Sequence, residues 1–156
     1  MNLQQFESRR LLNIIELFQT AAKEVPADKI QWKPEKKGKS AQEILEHVAG
    51  ANLAFAALVR GGALPEQATK VKDRQDIKHE SESYVQALEG LKSSAQVLAD
   101  AIASVPDNQL GEERQMPWGV TWKMTRLMTA PSAHTSYHWG QLCYVQTLYG
   151  DTKDYT

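Results

Sequence analysis

The chain has 156 residues, with 18 basic and 19 acidic side chains, a formal net charge of −1 and a single cysteine, Cys143. That length fits one domain, residues 1–156, able to bury roughly two thirds of its unfolded surface without covalent help. Balanced charge excludes the basic footprint of a nucleic-acid binder, and one cysteine excludes an internal disulfide, which fits a reducing, cytoplasmic compartment.

The first helix is expected from about Leu3 to Lys23, with Leu11, Ile14, Ile15, Phe18 and Ala22 recurring on one face. The run Met1–Glu7 lacks the basic-then-apolar pattern of a signal peptide. Pro26 and the segment through Gly38 break the helix, and the lysines between Lys33 and Lys39 read as a solvated loop. A second helix starts at Ser40, which with Glu43 three residues later forms a capping-box pattern. Its apolar face is Ile44, Val48, Ala51, Phe55 and Leu58, and Gly61-Gly62 followed by Pro65 stops it. The third helix has the clearest periodicity: Tyr84, Leu88, Leu91, Ala95, Leu98, Ile102 and Val105 alternate steps of four and three, a bundle seam ended by Pro106. Residues 111–120 read as irregular, with Met116-Pro-Trp118-Gly119 as a turn. The fourth helix runs from about Lys123 to Tyr149, and Pro131 should kink it or mark a new start. Four amphipathic helices and no strand predict an all-α four-helix bundle, and the connection from Gly61 to about Lys78 is long enough for a crossover. No apolar run approaches bilayer-spanning length, so no membrane partner is expected.

Histidines stand where the helical phase predicts burial. His134 and His138 are four apart, on one side of the fourth helix, and both fall within the stripe that includes Leu127, Gln141, Val145 and Leu148. His47 falls at the edge of the apolar face of the second helix. A third imidazole from a facing helix would complete a three-nitrogen site with open positions, the pattern of catalytic rather than structural metal sites. His79 points away from the seam of the third helix and reads as solvated. Neighbouring buried imidazoles need hydrogen bonds or a metal; the plainer alternative is that they satisfy each other or bind water. Gln141, Asn52 and Tyr144 are polar candidates to accept the remaining ring N–H groups.

The surroundings narrow the chemistry. From Lys123 to Tyr149 there is no Asp or Glu, and Thr135 stands where an H-E-x-x-H metalloprotease places its glutamate. A general base would have to be metal-bound water or Glu43 or Glu46, and Glu43 already has its capping role. Glu46 is expected to be exposed. Cys143 lies opposite His134 on its helix and reads as a small core residue, while Trp118, Trp122 and Trp139 read as core and loop filling.

Several short stretches, taken in this order, resemble the DinB/YfiT-like superfamily of metal-dependent four-helix bundles. They are Val25-Pro-Ala-Asp28, Trp32-Lys-Pro34, Ser40-Ala-Gln-Glu-Ile-Leu-Glu-His47-Val48, His134-x-x-x-His138-Trp-Gly-Gln141 and Tyr149-Gly150. The resemblance implies an up-up-down-down bundle with a long crossover, a divalent ion (nickel or zinc) on His47, His134 and His138, and a homodimer. Relatives of this kind include bacillithiol S-transferases and a mycothiol-dependent maleylpyruvate isomerase. The expected activity is therefore thiol-dependent S-transfer to a small electrophile, with a low-molecular-weight thiol as partner and metal-bound water or thiol at the reacting centre. A non-catalytic metal-binding stress protein and a metal-dependent hydrolase are the alternatives. The sequence departs from the family pattern at Trp139, where many members carry arginine, and at Pro131.

Overall fold

Asn2 and Ser40 begin the first two helices by the same device. Each side chain accepts the backbone N–H three residues on, and that residue's side chain, Gln5 or Glu43, accepts the cap's own N–H. The computed structural model describes residues 1–62, 64 and 80–155. Among these, the helices are α1 (Leu3–Lys23), α2 (Ala41–Arg60), α3 (Glu80–Ala103) and α4 (Met124–Thr147), with 3-10 turns at Ala27–Lys29 and Asp107–Gln109. Gly61 ends α2 in the left-handed region at φ 71°, where the absence of a Cβ removes the steric penalty.

α1 and α2 each pack against both α3 and α4, so α1 lies diagonal to α2 and α3 to α4. Hydrogen bonds between helices fix their directions. Gln4 Nε2 donates to Val105 O at 2.9 Å and the Tyr84 hydroxyl to Ala22 O at 2.7 Å, so α1 and α3 are antiparallel. Ser132 Oγ meets the Glu7 carboxylate at 3.5 Å and Gln146 Nε2 donates to Ala21 O at 3.1 Å, so α1 and α4 are parallel. Gln42 bonds Ser83, and Asn52 bonds Ser94, so α2 and α3 are parallel too.

The all-α four-helix bundle is as expected, but the order is up-down-down-up, not up-up-down-down. The reason lies in the first link. Its 3-10 turn folds the chain back, and Ile30 O accepts the N–H of Gln42, so α2 begins at the end where α1 finishes. The end of α2 and the start of α3 consequently lie at opposite ends of the bundle. Most of the crossover expected at 61–78 lies outside the described residues, as do Pro65 and His79.

Three further expectations change. Residues 113–123 contain a short hairpin, β1 (Glu113–Gln115) with β2 (Thr121–Lys123), closed by Gly119 at φ 86° and by Met116 N–H on Val120 O. Of the two outcomes expected at Pro131, the new start does not occur: α4 runs through it, with Leu127, Met128, Ser132 and Thr135 buried on either side. The buried stripe of α2 is Ala41, Leu45, Val48, Asn52, Ala56 and Val59 together with Ile44, while Ala51, Phe55 and Leu58 lie only half-buried. Leu11, Phe18, Leu45, Leu91, Leu98, Ile102, Leu127 and Leu142 fill the centre. Burial of each such side chain contributes about 1.5–3 kcal/mol. No described helix is long and apolar enough to cross a membrane.

Candidate metal centre

α2 and α4 cross where their histidines meet. The rings of His134 and His138, one turn apart on α4, have centroids 4.5 Å apart; His47 on α2 lies 4.6 Å from His138 and 5.2 Å from His134. One potential ligand atom from each ring lies within 4.8 Å of the other two. His138 is buried at 6% exposure, His134 is half-buried and His47 is exposed, so the cluster runs from the core to the surface along the α2–α4 seam. His138 occupies the buried stripe as expected. His134 stands at its edge, because Thr135 on the adjacent position takes the fully buried place.

The residues fit a divalent ion. The Nε2 atoms of His134 and His47 face each other at 3.3 Å, which matches the edge of roughly 3.3–3.4 Å that bonds of about 2.0–2.1 Å make at a tetrahedral angle. His134 Nδ1 is buried without a hydrogen-bond partner among the described residues, and an ion on Nε2 would leave it so. All three pKa values are depressed, chiefly by burial: His134 to about 4, with His138 and His47 adding repulsion, and His47 with further repulsion from His138 and Lys39. For His138, burial outweighs the opposing hydrogen bond from Gln141. At neutral pH the imidazoles are therefore uncharged and carry the lone pairs that a metal requires.

Of the three polar residues singled out around the cluster, Gln141 reaches it: His138 Nδ1 lies 2.7 Å from Gln141 Oε1. Asn52 is fully buried but turns its amide nitrogen to Ser94 on α3, at 3.3 Å. Tyr144 is 66% exposed and stands on the outer surface of α4. Two aromatic neighbours were not anticipated as part of the site. Phe55 lies 6.1 Å from the His134 ring, and Tyr137 lies 5.0 Å from the His138 ring and accepts a hydrogen bond from Gln141 Nε2 at 2.9 Å. The spacing Tyr137–Gln141, one helical turn, was the available signal. Lys39 lies in the lysine-rich segment whose pattern is that of a loop, and no local pattern reveals that its charge acts on His47 and His138.

The glutamates considered as bases have other engagements. Glu43 closes the cap of α2 and pairs with Lys33 at 2.7 Å. Glu46, expected to be exposed, is half-buried, accepts from Gln42 at 2.7 Å and lines a groove with Ala49, Ser83, Gln86, Ala87 and Gly90 between α2 and α3. Cys143 and Trp139 pack partly buried against the core. Trp118 stacks edge-on against Trp122, whose ring lies under the Arg126 guanidinium at 4.5 Å.

Comparison with known proteins agrees with this architecture. A family model described as the DinB superfamily matches residues 11–142. Among solved structures, a DinB-like protein from Bacillus subtilis is similar with a TM-score of 0.70 at 16% identity, over 94% of each chain. A conserved protein from Enterococcus faecalis is similar with a TM-score of 0.74, also at 16% identity, over 97% of this chain and 99% of that one. At such identity these likenesses speak for the fold alone. No curated protein matches the chain.

Proposed function

We propose that this chain, which belongs to the DinB superfamily, is a divalent-metal-dependent enzyme that holds nickel or zinc on His47, His134 and His138 and transfers a low-molecular-weight thiol to a small electrophile. The observation that carries this reading is the convergence of three imidazole nitrogens within 4.8 Å on a seam that reaches the surface at His47. The bound ion would supply Lewis-acid polarisation and make an incoming thiol or water more acidic.

The chain's own residues do the rest. Burial keeps the three rings neutral, so they bind without competing for protons at physiological pH. His47 leaves the centre open to solvent, and Phe55 and Tyr137 flank it with aromatic surface. Lys39 contributes positive potential at His47 and His138, which favours an anionic cosubstrate such as a thiolate. Glu43, held in its cap and ion pair, is poorly placed to serve as a hydrolytic base, and α4 carries no carboxylate; this favours group transfer over hydrolysis. The family resemblance supports a homodimer as well, which light scattering would test.

The deciding experiment is elemental analysis of the purified protein, followed by a screen of small thiols against model electrophiles. We expect about one divalent ion per chain, its loss in His138→Ala, and thiol consumption that depends on the ion. Stoichiometric metal retained by His138→Ala would sink the ligand assignment. A fully loaded protein with no turnover of any thiol would favour a non-catalytic metal-binding role.

A further inference from the structure

We infer that Gln141, anchored by Tyr137, is a positioning residue: it sets the tautomer of His138, holding its proton on Nδ1 and presenting the Nε2 lone pair to His47 and His134. The inference deepens the metal-site reading, but its first test needs no metal.

The three side chains form one hydrogen-bonded line on α4. Gln141 Nε2 donates to the Tyr137 hydroxyl oxygen at 2.9 Å, and Gln141 Oε1 lies 2.7 Å from His138 Nδ1. An amide oxygen can only accept, so the short contact to Nδ1 requires an Nδ1–H. In a neutral imidazole the other nitrogen is then unprotonated. Spacings of three and four residues put Tyr137, His138 and Gln141 on neighbouring positions of adjacent turns. The helix therefore supplies the geometry without a second element.

A glutamine side chain has two nearly isosteric orientations. Turned over, its NH2 would face Nδ1 and select the opposite tautomer, with a proton on Nε2 pointing into the cluster. The Tyr137 hydroxyl can donate or accept and so could meet either orientation; in the observed one it accepts from the NH2 group on the side away from His138 and anchors the amide there. Tyr137 is 62% exposed and contributes little to the core, which separates this role from packing. His134, by contrast, has no partner on Nδ1 among the described residues.

Nitrogen-15 NMR of the imidazoles at about pH 8, where histidines are neutral, reads the tautomer directly in metal-free protein. We expect a single Nδ1–H form for His138 in the parent. Gln141→Leu should show mixed tautomers, and so should Tyr137→Phe to a smaller extent. Gln141→Glu keeps an acceptor on Nδ1 and should restore the parent pattern. Affinity for zinc or nickel should fall by roughly 10- to 100-fold in Gln141→Leu, the usual effect of removing a ligand's outer hydrogen-bond partner, and recover in Gln141→Glu. An unchanged His138 tautomer in Gln141→Leu would overturn the inference, and an unchanged tautomer in Tyr137→Phe would remove Tyr137 from it. A parent that binds no metal but shows the expected tautomers would overturn the proposed function and leave this inference standing.

Discussion

Replacing His134 by asparagine probes the electrostatics of the cluster without a metal. The His134 pKa is depressed from its ordinary value of 6.5 to about 4, first by burial and then by repulsion from His138 and His47. The folded value lies below the unfolded one, so between those two pH values the unfolded chain binds a proton that the folded chain refuses. The contribution is therefore fully present above about pH 6.5 and is lost as pH falls through about 4. A displacement of that size would correspond to about 3 kcal/mol in a dry site. The ring is only half-buried, and solvent screening reduces the expected effect to about 1 kcal/mol. Urea unfolding of EDTA-treated parent and His134→Asn, in steps from about pH 7.5 to about pH 4, would measure it. The two proteins share the same carboxylates, so their difference isolates the histidines. We expect a constant difference above about pH 7 and a relative loss of about 1 kcal/mol in the parent by about pH 4. Relief of repulsion on His47 and His138 in the variant acts in the same direction. Parallel pH profiles would refute the argument that burial holds these imidazoles neutral.

Metal should also stabilise the fold. At a free concentration about 100 times Kd the gain is about 2.7 kcal/mol, equivalent to a rise in Tm of roughly 5–11 °C for a chain of this length, and calorimetry should find none of it in His138→Ala. Ser40→Ala removes the acceptor of the Glu43 N–H, 3.3 Å away, at a buried helix start; it should cost about 1 kcal/mol and lower Tm by roughly 2–4 °C, with metal stoichiometry unchanged.

Local patterns carried most of what was legible in the chain. The Ser40–Glu43 cap, the Tyr84–Val105 seam and the Gly61 stop each depend on residues within a turn or two, and each corresponds to an observed feature where described. Misreadings arose where distant contacts decide. On α2 the polar Asn52 and the small Ala41 and Ala56 are fully buried together with Leu45 and Val48, while Phe55 and Leu58 are only half-buried, because α2 packs against both α3 and α4 and the buried face is wider than one apolar stripe. Three-residue strands composed of Glu-Arg-Gln and Thr-Trp-Lys have too little apolar alternation to announce a hairpin. Pro131 costs α4 one backbone bond, but buried neighbours on both sides keep the helix continuous.

The direction of the helices was not legible, yet the histidine cluster survives the correction. Only one relation between helices matters to it, that of α2 to α4. In an up-up-down-down bundle these two run antiparallel, and in the observed up-down-down-up bundle they run antiparallel as well. Moving along α2 from His47 to Phe55 therefore leads back along α4 from His138 to His134, as the ring contacts show. What the observed order changes is α1 against α4 and α2 against α3, both now parallel. Those seams hold Glu7 with Ser132, and Asn52 with Ser94. This explains why Asn52, a sensible partner for a histidine by phase alone, turns its amide nitrogen toward α3. The part of the site that depends on spacing within one helix, His134, His138 and Gln141, could be read from the sequence. His47, named from its phase and the family resemblance, joins them across the α2–α4 seam; which seams run parallel, and hence that Asn52 faces α3, could not be read.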